Sequence, residues 1–247
     1  MSSLSFSSGH QRIRLSEIGA VRLAAARALG VTGVVAYNWW VVVPFVPGLM
    51  PSYNGFFSDL EASGRPHAAL MEHADLVAGI SLLLAFLLRG SMGRHGRRSE
   101  WRWMVAFAVA GGIGGRYPYA CAEGLSAACR SLEWHLELPV HHYIHVVSGI
   151  AEFVTLTVAV VLATRRSRGE ATLEARVFRT LLKVLVVAYP LLGLVYLTDR
   201  LGAFVEPVFF LVFSVMIITE LFEPKGREVT PLPAGTPAES VSAAPPG

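Results

Sequence analysis

Residues 119–152 read YACAEGLSAACRSLEWHLELPVHHYIHVVSGIAE, and they hold both cysteines of the chain, half of its histidines and the beginning of a long apolar run. If residues 141–152 are helical, one face carries four polar side chains, because a helix repeats about every 3.6 residues. These are His141, His145, Ser148 and Glu152. The apolar run, residues 146–163, is long enough to enter a bilayer. Ionisable groups at that depth cost about 2.5–3.5 kcal/mol each on insertion scales, so the stripe predicts a functional site.

The composition is typical of a membrane protein. Hydrophobic residues make up 53% of the 247 residues and charged residues only 16%, a balance unlike that of an ordinary soluble domain. Lysine and arginine cluster in short connections, as the positive-inside rule expects of cytoplasmic loops. The net positive charge is therefore explained without a nucleic-acid partner. The expected partners are membrane lipids and a small-molecule or lipid ligand, and the oligomeric state is left open.

Apolar stretches predict an all-α, polytopic bundle of about six transmembrane helices in the cell (plasma) membrane, with both termini in the cytoplasm. The predicted spans are 30–46, 74–88, 103–119, 142–163, 177–197 and 204–222, within a domain of residues 17–222. The third span contains GGIGG, whose small residues favour close packing of neighbouring helices.

Two tails flank this domain. Residues 1–16 are rich in serine and are expected to be disordered or interfacial, and residues 223–247, rich in Pro, Ala, Ser, Thr and Glu, are expected to form a disordered cytoplasmic tail. Basic residues precede the first span, as in a signal peptide, but no small-residue cleavage pattern follows it. The sequence therefore favours a retained helix.

Titratable and nucleophilic side chains collect at the predicted extracytoplasmic side, where a helical bundle could bring them together in a pocket. The pocket residues are expected to be Ser58, His142, Glu152 and Asp199, with Glu206 as a further buried carboxylate.

The two cysteines predict a disulfide. Seven residues separate Cys121 from Cys129, and closing a loop of that size stabilises by roughly 2–3 kcal/mol in the chain-entropy model. Two free or separately buried thiols are the alternative. A zinc pair fits less well, because structural zinc sites space their cysteines by two to four residues.

A metal site is one interpretation of the histidines. His141 and His145 have the i, i+4 spacing that lets two imidazoles reach one ion. The third ligand must come from another element, and the candidates are Asp75, Asp59, His73 and Asp199. A zinc-bound water could then hydrolyse a lipid ester or amide, with Ser148 and Asp59 as the catalytic side chains. On this alternative interpretation the protein is a metal-dependent, membrane-embedded hydrolase.

Two other interpretations remain open. The histidines could form a structural hydrogen-bond network at the headgroup level, or they could relay protons or a ligand. In either case the protein binds a ligand, takes part in transport or has a structural role, and whether it is an enzyme is undecided.

Two motifs carry a resemblance to a known family. The first is N-x-x-x-S-D-L-x-x-x-G-R-P at residues 54–66, and the second is C-A-x-x-x-S-x-A-C-R-x-x-E at residues 121–133, followed by H-x-x-x-H-x-x-S at residues 141–148. This arrangement resembles the actinobacterial branch of domain-of-unknown-function family 998, over most of the chain. The resemblance implies a multi-pass membrane protein and assigns no activity.

The set of histidine, aspartate and serine residues is also similar, more loosely, to seven-helix membrane hydrolases related to alkaline ceramidases. That similarity implies zinc held by three histidines and an aspartate near a serine. The chain departs from it with about six helices and no second histidine pair on a late helix.

Overall fold

The computed structural model describes residues 8–50, 52–90, 99–198 and 200–223. This part of the chain is helical and contains no strand, which confirms the predicted all-α bundle. Its α-helices are α1 (Ser8–Tyr37), α2 (Ala68–Gly90), α3 (Ser99–Gly114), α4 (Ala127–Trp134), α5 (Val140–Arg166), α6 (Leu173–Thr198) and α7 (Gly202–Phe222). Short 3-10 helices lie at Trp39–Phe45, Ser58–Glu61 and Glu123–Leu125.

Six of these helices form a closed ring in chain order. α1 packs against α2 and α7, α3 packs between α2 and α5, and α6 packs between α5 and α7. The short helix α4 lies outside the ring in the connection from α3 to α5. The interior is filled by fully buried aromatic side chains such as Phe107, Phe209 and Phe213.

Five helical segments of the described chain are long and apolar enough to cross a membrane: Glu17–Phe45, α2, α5, α6 and α7. They identify the chain as an integral membrane protein. α3 has 16 residues, fewer than the roughly 20 that span the hydrocarbon core. It completes the ring as the sixth helix of the bundle.

The predicted boundaries differ from the structure at the first and third spans. α1 begins at Ser8, so residues 8–16 continue the first helix, while residues 1–7 of the predicted tail lie outside the described residues. Residues 12–29 consist largely of Arg, Leu, Ala and Glu, which are strong helix formers. α3 ends at Gly114 rather than at residue 119, because weak helix formers and then Pro118 follow. The predicted C-terminal tail, apart from Glu223, lies outside the described residues.

Glycines allow α2 and α3 to approach closely. A Cβ atom added to Gly79 of α2 would lie 2.3 Å from the backbone nitrogen of Gly112, and one added to Gly115 would lie 2.3 Å from that of Leu76. Backbone therefore meets backbone at this contact, which agrees with the packing role predicted for GGIGG.

Residues 46–67 and 115–139 meet at one end of the bundle, and we call them the cap. The Ser63 backbone N–H donates to the Tyr119 carbonyl over 2.9 Å, and the Gly202 N–H at the start of α7 donates to the Asn54 carbonyl over 3.1 Å. These bonds join the connections α1–α2, α3–α5 and α6–α7. The predicted outer residues Asp59, Cys129 and His145 consequently lie at the same end of the molecule.

Candidate functional site

A cavity lies inside the ring between α1, α2, α3 and α5, in the half of the bundle nearer the cap. It is small, with a volume of about 10 Å³, roughly the space that one water molecule needs. Its ionisable lining groups are Tyr37, Asp75 and Glu152, and the other described residues that line it are glycine or apolar, with no base among them.

Asp75 connects this cavity to the cap. The Trp39 indole N–H donates to Asp75 Oδ1 over 2.8 Å, and the carboxyl groups of Asp75 and Glu61 hydrogen-bond to each other. Two carboxyl groups can do so only when one of them carries a proton. Glu61 ends the 3-10 helix Ser58–Glu61 and is 2% exposed. Burial, followed by the nearby charge of Asp75, raises the pKa of Glu61 well above its usual value.

Glu152 reaches the cavity from α5 and lies against the glycines of α3. A Cβ atom added to Gly111 would lie 3.5 Å from the Glu152 Cδ atom, and one added to Gly114 would lie 3.4 Å from its Oε1 atom. The glycines thus leave room for the carboxyl group. Among the described residues no hydrogen bond reaches the Glu152 carboxyl group, although the Thr155 hydroxyl donates to the Glu152 backbone carbonyl over 3.2 Å.

The Tyr37 hydroxyl is the second polar group in the cavity that lacks a partner. Tyr37 is 6% exposed, and its hydroxyl oxygen is buried without a hydrogen bond from any described residue. Buried polar atoms in proteins nearly always have a partner, so this hydroxyl, which lies beside a carboxyl group without a hydrogen bond, requires an explanation. A bound ligand supplies one.

Glu206 holds the cap to α7. Its Oε2 atom accepts the backbone N–H of Phe57, and its carboxylate also takes a hydrogen bond from Ser58. The 3-10 helix that carries Glu61 is therefore fixed at its other end by Glu206.

Asp59 joins the two segments of the cap. Its carboxylate accepts the N–H of Phe56 over 2.9 Å and that of Gly124 over 3.1 Å. Burial raises the pKa of Asp59 to about 6, although these two hydrogen bonds oppose the shift. Glu123, next to Gly124, has its pKa raised to about 7 by burial and by the charges of Glu133 and Asp59.

A disulfide joins Cys121 to Cys129, as predicted. It fixes the N-terminal turn of α4, where the Ser126 hydroxyl accepts the Cys129 N–H over 3.3 Å. The disulfide, the N-terminal residue Ser126 that caps α4, and Asp59 lie in the same part of the cap.

The histidines of α5 bind the cap to the bundle. The Ala120 N–H donates to His142 Nδ1 over 3.2 Å, so the Nε2 atom carries the hydrogen of the neutral ring and donates to Glu133 over 3.0 Å. His145 Nδ1 donates to the Tyr117 carbonyl over 2.7 Å. Both rings thus have structural partners.

This chain matches one known protein family. A model of the family described as Protein of unknown function (DUF998) matches residues 17–221. The chain belongs to this family. The DUF998 match includes the cap, α2, α3, α5 and α6, and most of α1 and α7. Comparison with the curated proteins and with the solved structures finds no match.

The predicted metal site finds no support in this DUF998 fold. Among the described residues no three His, Cys, Asp or Glu side chains are grouped so that they could hold a metal ion. His145 donates to Tyr117, and Asp75 is held by Trp39 and Glu61. The expected zinc set of His141, His145 and Asp75 is therefore not assembled in this part of the chain.

The predicted catalytic side chains are likewise engaged in structural contacts. The Ser148 hydroxyl donates to the His145 carbonyl within α5 over 2.8 Å, and Asp59 holds backbone N–H groups of the cap. Asp199, expected in the pocket, lies outside the described residues.

The buried polar face of α5 differs from the predicted stripe at its first member, where His142 takes the place of His141. His142 is fully buried, and His145 and Ser148 are buried with it, whereas His141 is partly exposed. The buried face follows the i, i+3 spacing 142–145–148 because the cap packs against that face. Of the predicted pocket residues, only Glu152 lines the cavity.

Sequence reasoning missed Tyr37, Trp39 and Glu61. The first two belong to the polar-aromatic segment YNWW at residues 37–40, which interrupts an otherwise apolar span, and Glu61 stands two residues after Asp59. Such an interruption at membrane depth is the signal that could have drawn attention to α1.

Proposed function

We propose that this DUF998 protein is a transport-related, multi-pass protein of the cell (plasma) membrane that binds a small cation in the cavity bounded by Tyr37, Asp75 and Glu152. The observation that carries this proposal is the Glu152 carboxyl group, which has no hydrogen-bond partner among the described residues and faces a cavity without a base.

Electrostatics favours a positively charged ligand. The charged groups that act on Glu61 and Glu152 are all acidic: each feels Asp75 and Glu206, and Glu61 also feels Glu152. Burying several carboxyl groups together is unfavourable unless they are protonated or neutralised by a cation. A cation in the cavity neutralises Asp75 and Glu152 directly.

The volume of the cavity and the atoms that line it indicate which class of ligand fits. A volume of about 10 Å³ lies far below the roughly 300–1,000 Å³ of pockets for drug-sized molecules, so the ligand is about the size of one water molecule. The polar lining atoms are carboxylate and phenol oxygens, the ligands that hard cations prefer, and no imidazole or thiolate joins them. A single alkali-metal ion without its water shell fits these conditions.

Cation binding is tested by thermal unfolding of the purified protein in detergent. Sodium, potassium and lithium chloride are compared with choline chloride at equal ionic strength, since choline is too large for the cavity. At least one alkali ion is expected to raise the unfolding midpoint saturably, because a ligand at 100 times its Kd adds about 2.7 kcal/mol of stability.

Two variants test whether the cation raises the unfolding midpoint by binding at Glu152. Glu152→Gln keeps the shape but removes the charge, so it is expected to abolish the shift, whereas Glu137→Gln changes an exposed cap residue and keeps it. Equal midpoints in alkali and choline salts, or an undiminished shift in Glu152→Gln, would refute the cation site.

The orientation proposed with this function places the cap outside the cell and both termini in the cytoplasm. Both cysteines of the chain are disulfide-bonded, so a single added cysteine can be labelled selectively. Glu137→Cys in the cap is expected to react with a membrane-impermeant maleimide in intact cells. Arg168→Cys, exposed between α5 and α6 at the opposite end, should react only after permeabilisation. The reverse labelling pattern would invert the orientation.

A further inference from the structure

We propose that a groove on the outside of the ring, between α3 and α5, binds an anionic phospholipid, with one acyl chain in the groove and the phosphate at Arg116. The groove has a volume of about 400 Å³, within the roughly 300–1,000 Å³ of ordinary ligand pockets. The cation cavity, by contrast, lies inside the ring. The lipid site goes beyond the proposed function, and neither site depends on the other.

The groove lies where α3 ends before α5 does. Its lining is formed by apolar and aromatic side chains of the two helices, among them Ala110, Ile113, Val140, Tyr143, Val147 and Ala151. The His145 Nδ1 atom donates to the Tyr117 carbonyl over 2.7 Å, so the chain that leaves α3 meets α5 at the level of His145. Since α5 begins at Val140, it extends about 7.5 Å further toward the cap at 1.5 Å per residue. The groove is therefore open on its α3 side beside the first turns of α5.

The described side chains that line the groove have no hydrogen-bond donor left for a ligand. The hydroxyl groups among them belong to Tyr143 and Ser148. Tyr143 donates to the Glu133 carbonyl over 3.3 Å, and Ser148 donates to the His145 carbonyl over 2.8 Å. A polar ligand would lose its hydrogen bonds to water in this groove without replacing them, which is unfavourable. The part of the ligand that fills the groove is therefore hydrocarbon.

A positive charge stands at the cap end of the groove. The Arg116 backbone N–H donates to the Ile113 carbonyl over 3.0 Å, so Arg116 lies one turn beyond a residue that lines the groove. Arg116 is exposed, and its guanidinium group lies 5.9 Å from the ring centre of Tyr117. Among the described residues no carboxylate forms an ion pair with it. Its planar fork of donors is thus free to bind a phosphate group.

These two features match the two parts of a phospholipid. The tyrosines 117 and 143 at the cap end of the groove are typical of the membrane interface, where headgroups lie. The apolar lining continues from there along α5 to Ala151, toward the bilayer centre. A headgroup that carries an ammonium group would bring a positive charge near Arg116, so a lipid with net negative charge should bind more tightly.

Native mass spectrometry of the detergent-purified protein tests the charge preference. The protein is incubated with equal amounts of phosphatidylglycerol and phosphatidylcholine that carry the same acyl chains. One phosphatidylglycerol per chain is expected to remain bound in preference. Arg116→Gln should lower this preference about tenfold, the size expected for the loss of a charge-assisted hydrogen bond. Arg200→Gln removes an exposed arginine from the same end of the bundle, between α6 and α7, and should leave the preference unchanged.

A second pair of variants tests the groove itself. Ala151→Phe places a ring in the groove, so it should reduce the retention of both lipids. Val154→Phe enlarges a side chain on the same helix that is 49% exposed and does not line the groove, and it should retain as much lipid as the wild type. Thermal unfolding midpoints show whether each variant is folded.

Three results would overturn the lipid site. The first is equal retention of the two lipids by the wild type, and the second is an unchanged preference in Arg116→Gln. The third is a wild-type dimer that dissociates in Ala151→Phe while the amount of bound lipid stays the same, since a second copy of the chain would then cover the groove.

Discussion

Arg166→Met is expected to lower the free energy of unfolding by about 3 kcal/mol, the size typical of breaking a buried ion pair. Arg166 ends α5 at the end of the bundle opposite the cap. Its Nε atom lies 2.5 Å from Glu100, and its Nη2 atom lies 2.8 Å from Glu220 and 3.1 Å from Glu174. One guanidinium thereby joins α3, α5, α6 and α7.

The ion pairs of Arg166 are expected to contribute strongly to stability because their carboxylates are buried. The Glu100 and Glu220 side chains are 1% and 0% exposed, and that of Arg166 is 27% exposed, so solvent screens the contacts weakly. Arg166→Lys should fall between Met and the wild type, because an ammonium group keeps the charge but loses the planar fork that serves several carboxylates.

The neighbouring arginine provides the control. Arg165 lies on the same helical turn but is exposed, so Arg165→Met should leave the unfolding midpoint nearly unchanged. Thermal unfolding in detergent compares the two variants. Equal midpoints for Arg165→Met and Arg166→Met would show that the network does not hold the helices together.

Gly79→Ala is the second change with a large expected effect. The added methyl group would lie 2.3 Å from the Gly112 nitrogen and 2.6 Å from its Cα atom, so α2 and α3 must move apart. Overpacking of this kind costs about 1–3 kcal/mol. Since Gly79 also lines the cavity, the cation-dependent thermal shift should weaken together with the stability.

Gly112→Ala is the matched variant on the other side of the same contact. A Cβ atom there meets nothing within 4 Å, so this substitution should be neutral or should stabilise by up to about 1 kcal/mol through helix propensity. If the two alanine variants unfold at the same temperature, the close approach of α2 and α3 is not a determinant of stability.

The local chemistry of the sequence predicted the helices and the disulfide well. Apolar stretches of membrane-spanning length define α2, α5, α6 and α7, and the spacing of Cys121 and Cys129 is sufficient to propose their bridge. Boundaries were less predictable where helix formers extend a span, as at the beginning of α1, or where glycines shorten one, as at the end of α3.

The candidate site was harder to predict because its groups meet only through tertiary packing. No spacing rule links Glu61, in a connection, to Asp75 on α2, or links either of them to Tyr37. The histidines show the opposite difficulty. Their i, i+4 spacing suggested metal ligands, but in the structure His145 donates to a backbone carbonyl of the cap. Only the packed cap determines that His142 rather than His141 is buried.

The ring, the cap and the cavity form one account. Glycines on α2 and α3 bring two helices together and leave space for Glu152, and Trp39 fixes Asp75 beside it. The cap places Glu61 next to Asp75. Glu206 and Asp59 hold this part of the cap by accepting hydrogen bonds from its backbone. At the opposite end of the bundle, Arg166 joins α3, α5, α6 and α7 through its ion pairs. The acidic cavity therefore lies in a helix bundle that polar contacts hold together at both ends.

Counting the bound ion tests this account most directly. Purified protein is equilibrated by dialysis with sodium, potassium or lithium chloride, and the bound metal is measured by elemental mass spectrometry. One alkali ion per chain is expected in the wild type and in Glu137→Gln, and none in the Asp75→Asn, Glu152→Gln double variant. A wild-type protein without bound alkali ion, or a double variant that binds as much as the wild type, would contradict the proposed cation site.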